Sequence, residues 1–333
     1  MNPTTAICHL SALFILAVLP AAAANKNKAW TDPATALKED PDFSIQGEYG
    51  SDRAGAAAGV QVVALGDGKF DAYVLRDGLP GLGWTREKTR TVLKGSRDGE
   101  TVAFSSADKK MSATIRDGKL VLTRDGEEPL TLPLIERTSP TLGAKPPKGA
   151  VVLFDGSSAD RWEKGKVENG LLLATGCTSK QRFGDCAIHL EFRTPYKPHA
   201  RGQGRGNSGI YYGGRWETQV LDSFGLEGRD NECGGIYSIS PPRLNMCLPP
   251  LVWQTYDVQL TAATFDADGK RTAWPRITVK LNGVLVHEDL ELAKDLTTAA
   301  PMKGPLKTPE GPIFIQNHGN PVVFRNIWVV PGK

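Results

Sequence analysis

The sequence predicts an all-β protein, a two-sheet jelly-roll sandwich preceded by a small antiparallel β-meander. Three observations carry this. Asp-Gly pairs recur at 67, 77, 98, 117 and 125, each flanked by short β-prone runs, and Asp-Gly supplies the positive φ that tight two-residue hairpins require. Beyond residue 150, apolar and aromatic runs follow one another at all-β spacing. No stretch sustains a 3.6-residue apolar period, apart from a weak one over 290–298.

The first element is an apolar run, LSALFILAVL at 10–19, followed by Ala22-Ala23-Ala24. The run is shorter than the roughly 20 residues of a membrane span, and the alanines form a small-residue cleavage site. A signal peptide over 1–24 is expected, although it carries no Lys or Arg, and with it a secreted or periplasmic protein without a membrane span after cleavage.

Residues 25–137 read as a small β-rich domain with strands VQVVAL (60–65), FDAYVL (70–75), TVAFSS (101–106), MSATIR (111–116) and KLVLT (119–123). TSPTLGAKPPKG, 138–149, has the Pro, Gly and Ser/Thr content of an exposed linker. Over 150–333 the expected strands are VVLFDG, GLLLAT, AIHLEFR, SGIYYG, WETQVLD, YDVQLTAATF, RITVKLNG, PIFIQNHG and VVFRNIWVV. Strands this numerous and this short suggest a two-sheet jelly roll.

A net charge of +3 over 333 residues argues against a nucleic-acid partner, which would draw Lys and Arg into one basic stripe. Cys177, Cys186, Cys233 and Cys247 remain once Cys8 is removed with the signal peptide. An even count in an oxidising compartment suggests disulfides. Three pairings are formally open, and Cys233 with Cys247 is favoured because both sit in a Gly/Pro-rich stretch that a short staple would hold. No Cys-x-x-Cys pair and no His at finger spacing occurs, which argues against a zinc finger; no cofactor is expected, and a divalent metal held by His, Asp and Glu on one sheet face stays open but is not indicated by spacing.

Gly204, Gly206 and Gly209 spell G-x-G-x-x-G, but a dinucleotide loop must follow a strand and open a helix. Here IYY, Gly213-Gly214 and WETQV follow, which read as two strands and a turn. In the second of these strands Glu217 and Gln219 share a face, about 7 Å apart. Asp222 has the wrong parity and joins them only if a bulge re-aims it.

Asn207-Ser208-Gly209-Ile210, Glu217-x-Gln219-x-x-Asp222, Gly234-Gly235-Ile236-Tyr237, Leu281-Asn282-Gly283, Gln316-x-His318-Gly319 and Phe324-Arg325-Asn326-Ile327 stand in the order of one family. With Phe154-Asp155-Gly156 and Phe192-Arg193, they make residues 151–331 resemble the 3-keto-disaccharide hydrolase domain. The resemblance implies a concanavalin A-like sandwich and a secreted bacterial enzyme acting on oxidised sugars, with a carbohydrate as its partner. Residues 25–140 lie outside it, and the Cys233 and Cys247 pair departs from the family pattern.

A ketone at C3 of a sugar acidifies the hydrogen at C2, so a base, a donor to the enolate oxygen and an acid for the leaving group suffice to cleave the glycosidic bond. The resemblance points to Glu217 or His318 as base and to Asp222 as its acid/base partner or orienter. Asn207, Gln219 and Arg325 are candidates for the ketone or hydroxyls, Gln316 is counted with them as substrate-binding, and Trp216 and Tyr237 are candidates for stacking on the sugar. His189 and Glu191 share a face and are secondary candidates; His199 and His287 read as surface. Two other readings stand beside this one. A lectin-like binding module needs no acids. A retaining β-glucanase of the same fold carries Glu-x-Asp-x-x-Glu, with two carboxyls about 5 to 5.5 Å apart, and here its middle acid is Gln219 and its last is Asp222.

Overall fold

The computed structural model describes residues 26–332, so the predicted signal peptide lies outside the described residues. The chain is all-β, as the hairpin spacing implies, and its first part is a closed barrel rather than an open meander. Its strands are β1 (Gly47–Tyr49), β2 (Ala58–Gly66), β3 (Lys69–Arg76), β4 (Arg90–Asp98), β5 (Thr101–Ser106), β6 (Met111–Arg116), β7 (Lys119–Arg124) and β8 (Leu130–Ile135). Closure comes from β1 pairing with β8, Tyr49 opposite Leu134, which removes the two free edges of a meander. Alternation fills the interior: Val60, Val62, Val102, Phe104, Ile115, Leu120 and Leu122 are buried in one cluster.

Asp67-Gly68 (φ 54° and 67°) and Asp117-Gly118 (φ 52° and 69°) make the expected two-residue turns. Asp77-Gly78 does not. It opens an excursion to Thr89, in which Leu79 and Trp84 pack on Leu75. β1, β4 and β8 were not foreseen, β4 because its RTVLKGSRD is too polar to signal a strand. A short helix, α1 (Pro33–Glu39), precedes the barrel, with the Asp32 side chain accepting from the Thr35 N–H at 2.7 Å and Pro at its first turn.

The second part is a two-sheet sandwich. One sheet runs, edge to edge, Trp162–Glu163, Cys177–Phe183, Gly311–Ile315, Ser208–Tyr212 and Trp216–Val220. The larger sheet centres on Val323–Pro331, Cys186–Arg193, Gln254–Thr261, Arg276–Leu281 and Val284–Glu291. Side chains of one parity from each sheet meet between them: Ile188, Leu190, Phe192, Phe324 and Val329 from the larger, Ile210, Tyr212, Trp216, Val220 and Ile315 from the smaller. The opposite parity of the smaller sheet is thereby turned away from the core. The weak helical period over 290–298 gives no helix: the strand Val284–Glu291 ends there and irregular chain follows.

The 138–149 segment is largely exposed, and its first part is tied down as a strap. Across the outer face of the larger sheet, the Gly143 N–H donates to Glu191 Oε1 at 2.6 Å, Thr141 Oγ1 to Asp257 Oδ2 at 2.6 Å, and Asn326 Nδ2 and Trp328 Nε1 to Ala144 O at 2.9 and 3.2 Å.

The predicted Cys233–Cys247 disulfide is not formed here, although the two thiols are neighbours in hydrogen-bonding contact. Cys177, Cys186, Cys233 and Cys247 are free and buried, packed in the sandwich core, where a thiol acts as a small apolar group. Hydrogen bonds organise the loop instead. Asn245 Nδ2 donates to Ser223 O and Leu226 O at 2.7 and 3.0 Å, and Glu232 Oε2 accepts from the N–H groups of Gly228 and Arg229 at 2.6 and 3.0 Å. The barrel adds Arg86, whose guanidinium donates to Arg243 O and Pro242 O at 2.9 and 2.6 Å and to Gly228 O.

Candidate active site

The outward face of the smaller sheet collects most of the motif residues, and register dictates which. Tyr211 stands opposite Glu217 on one side and Phe314 on the other; Gly209 stands opposite Gln219. Past Trp216–Val220 the chain 234–237 adds one more antiparallel pairing, Thr218 with Ile236, in which Tyr237 N–H donates to Glu217 O at 3.0 Å and Gln219 N–H to Gly235 O at 2.9 Å. Directly opposed residues share a face. Phe314, Tyr211, Glu217 and Tyr237 therefore form one row, and Gln316, Gly209, Gln219 and Gly235 the next. Asn207 and His318 lie on the extensions of their strands.

Glu217 is the centre of this face. The residue is 2% exposed, and a Cβ on Gly209 would lie 2.0 Å from its Oε1, so the carboxylate lies across Gly209, where no side chain stands. The side chain takes one hydrogen bond, from Tyr211 Oη at 2.7 Å. Burial pushes its pKa up to about 7, against the lowering effect of Tyr211. Tyr211 Oη accepts from Gln316 Nε2 at 3.0 Å and has a second acceptor, Thr298 O, at 3.1 Å. Its own titration is pushed up by burial and by Glu217.

At the other end of the face Asn207 and Gln219, each 1% exposed, converge on Gln203. Asn207 Nδ2 donates to Gln203 Oε1 at 3.0 Å and to Gln203 O at 2.9 Å; Gln219 Nε2 donates to the same Oε1 at 3.1 Å and to Asn231 O at 3.3 Å. Tyr237 and Gln316 are half-buried beside them, and His318 is exposed on the turn after Gly311–Ile315. That turn is tied to Asn207's neighbour. Asn320 Nδ2 donates to His318 O at 3.1 Å, and Asn320 Oδ1 accepts from Gly206 N–H at 3.2 Å and Lys197 Nζ at 2.8 Å.

Three predicted residues are placed elsewhere. Trp216 has core parity, and its indole N–H donates to Lys294 O at 2.7 Å, so it has no face to offer a sugar. Arg325 belongs to the larger sheet, on its outer face, where it pairs with Glu191 at 2.6 Å and lies 3.9 Å over the Trp253 ring. Asp222 is not re-aimed by a bulge. The strand ends at Val220, Leu221 also enters the core, and the Asp222 carboxylate faces Arg205 Nε at 2.6 Å. Arg205 in turn donates to the barrel, at Ala64 O (3.2 Å) and Gln46 Oε1 (3.1 Å).

His189 and Glu191, the secondary candidates, form a structural cluster beneath the strap. His189 Nδ1 lies 2.7 Å from Asp257 Oδ1, and its ring stacks on Trp328 at 5.0 Å. Burial works against charge at Glu191, but hydrogen bonds from His189, Asn326, Arg325 and the Gly143 N–H outweigh it and hold the carboxyl down at about 2. His287, read as surface, is buried behind the Gly234–Tyr237 segment. Its Nε2 donates to Gly234 O at 2.7 Å, and burial pushes its pKa down to about 4.

Sequence reasoning missed Tyr211, Gln203 and Thr298. Tyr211 was within reach, because a turn centred on Gly214 pairs Tyr212 with Trp216 and hence Tyr211 with Glu217. Gln203 and Thr298 come from irregular chain and carry no periodic signal.

One prediction follows from Gly209. Gly209→Ala places a methyl group where the Glu217 carboxylate lies, so the carboxyl must leave its seat. Turnover is expected to fall about 100-fold, the scale for a misplaced site group, while the circular dichroism spectrum is unchanged; a variant as active as the parent would show that the carboxylate does not need that seat.

The chain matches the 3-keto-alpha-glucoside-1,2-lyase-like domain over residues 149–330, which is the sandwich without the barrel. Among curated proteins none matches. Three crystal structures from Parabacteroides distasonis, each of a provisionally named glycosyl hydrolase, are similar to it. The first is 33% identical, with a TM-score of 0.49, covering 56% of this chain and 84% of its own. The others are 18% and 20% identical, with TM-scores of 0.41, covering 56% and 55% of this chain and 95% and 99% of theirs. A family match that spans more than half of the chain settles the kinship: the chain belongs to the 3-keto-alpha-glucoside-1,2-lyase-like domain family and is a carbohydrate-active protein.

Proposed function

We propose that this protein cleaves the glycosidic bond of 3-keto-glycosides by proton abstraction at C2 and elimination, with Glu217 as the base. The observation that carries the reading is the Glu217 carboxyl itself: buried, bound by one hydroxyl, and with its pKa near 7. A base of that strength can take a carbon-bound proton at neutral pH and return one.

Glu217 takes the C2 proton, and the C–H electron pair forms the C2=C3 bond of an enolate. The enolate then reforms the C3 carbonyl, its electrons shift into C1=C2, and the C1–O bond breaks with its pair on the leaving oxygen. Water added across C1=C2, oxygen to C1 and hydrogen to C2, gives the 3-keto sugar. Tyr211 follows the proton: its hydroxyl donates to the carboxylate, and on protonation of Glu217 it turns to Thr298 O and accepts from the new O–H. Gln316 Nε2 gives one N–H to Tyr211 and has a second for the enolate oxygen. His318, exposed at the rim, is the candidate acid for the leaving group.

The test is turnover in deuterated water. A 3-keto-glucoside should release its aglycone and yield sugar labelled at C2, faster than any exchange of the free product, whereas the unoxidised parent glycoside should be left intact. Aglycone release without label at C2 would mean direct displacement at C1, and equal turnover of both substrates would remove the role of the ketone.

A further inference from the structure

The amide cluster facing Glu217 has a polarity that the hydrogen bonds settle atom by atom. Gln203 Nε2 donates to Asn231 O at 2.7 Å, which leaves Gln203 Oε1 as an acceptor. Asn207 Nδ2 uses its two protons on that Oε1 and on Gln203 O; Gln219 Nε2 uses its two on the same Oε1 and on Asn231 O. Flipping either amide would set its oxygen against a backbone carbonyl. Every N–H of Asn207 and Gln219 side chains is thus committed, and what remains is two buried oxygens, Asn207 Oδ1 and Gln219 Oε1, with no partner. Unpaired buried acceptors are costly and rare. Here two sit on the same face as the Glu217 carboxylate, which leans over Gly209, the residue directly opposite Gln219.

We infer that Asn207 and Gln219 form an acceptor-only subsite that takes two hydroxyl groups of the sugar and turns its ketone away, with Gln203 as the positioning residue that fixes both amides. This rests on the carbohydrate reading of the site. A ketone oxygen has no proton to give and would face two carbonyl-type oxygens; hydroxyls donate to both. Hard cations draw on carboxylates, and this trio offers none. The ketone is directed toward the Gln316 side of the face, where the second N–H of Gln316 Nε2 stands.

The test measures binding separately from turnover. Glu217→Gln protein is titrated calorimetrically with a methyl glucoside, its 3-keto form and the monodeoxyfluoro analogues of each, since fluorine accepts but cannot donate. Fluorine at two ring positions should weaken binding roughly 10- to 100-fold, the usual scale for stranding a buried acceptor, and fluorine elsewhere should change it little. Gln203→Leu removes the Oε1 that both amides share and leaves each held by one backbone carbonyl, that of residue 203 or of Asn231, so the discrimination between hydroxyl and fluorine should narrow at both sensitive positions together, while fluorine elsewhere still changes binding little. Indifference to fluorine at every position, or no binding of either parent sugar, would overturn the inference. Hydroxyl-dependent binding with no turnover of 3-keto substrate by the unmodified protein would uphold the subsite and remove only the proposed reaction.

Discussion

Glu217→Gln is expected to lower kcat on a 3-keto-glycoside by about 100-fold or more, the scale for removing a general base, while making the protein more stable at pH 8. Both effects come from one buried carboxyl. Its pKa is about 7 in the folded chain against an ordinary 4.5 for glutamate, so between these values the native state holds a proton that the unfolded chain has lost. Stability from this group is present below about pH 4.5 and lost as pH rises through about 7. The shift corresponds to a penalty on the order of 3 kcal/mol at pH 8. Glutamine, of the same shape and uncharged, escapes that penalty and can still meet Tyr211. Activity runs the other way, since the base works deprotonated, and kcat/KM should rise with pH through about 7. Urea denaturation of both proteins at pH 5 and pH 8, beside a pH–rate profile, checks this. A Gln variant that is no more stable at pH 8 than the parent would mean that Glu217 is ionised at little cost, and a flat profile between pH 5 and 8 would deny it the role of base.

Much of the sandwich was legible because strand parity is a local property. SGIYYG and WETQV carry their own alternation and their own turn, so the sequence puts Glu217 and Gln219 on one face; the register of the hairpin then adds Gly209, opposite Gln219. The same logic failed one residue past the strand. Val220 and Leu221 both enter the core, alternation ends, and Asp222 takes its direction from Arg205 and the barrel. Arg325 shows a second limit. Its parity in the strand Val323–Pro331 says that it faces outward, but which sheet the strand joins is a matter of long-range pairing, here with Cys186–Arg193. The barrel's closure is of that kind too, resting on the contact of β1 with β8. The two cysteines mark a third limit, since their count and spacing carry no information on whether the sulfurs bond.

Asp222→Asn is expected to act on the fold before it acts on the chemistry, costing about 3 to 5 kcal/mol, the range for leaving one partner of a buried ion pair uncompensated. The guanidinium of Arg205 is buried, its Nε bound to Asp222 at 2.6 Å and its other nitrogens to Ala64 O and Gln46 Oε1. Removing the charge on Asp222 strands that cation between barrel and sandwich. Arg205→Met should cost a similar amount by stranding Asp222. Replacing both charges with apolar groups, Arg205→Met with Asp222→Leu, should recover most of the loss, because neither ion is then left buried alone. Turnover separates this from a catalytic role. A structural Asp222 predicts that the double variant, assayed well below its melting temperature, keeps kcat within about 10-fold of the parent, far from the 100-fold or greater fall expected for a lost proton-transfer group. If Asp222→Asn instead melts like the parent but turns over 100-fold more slowly, the carboxylate belongs to the reaction and the ion pair is its resting state.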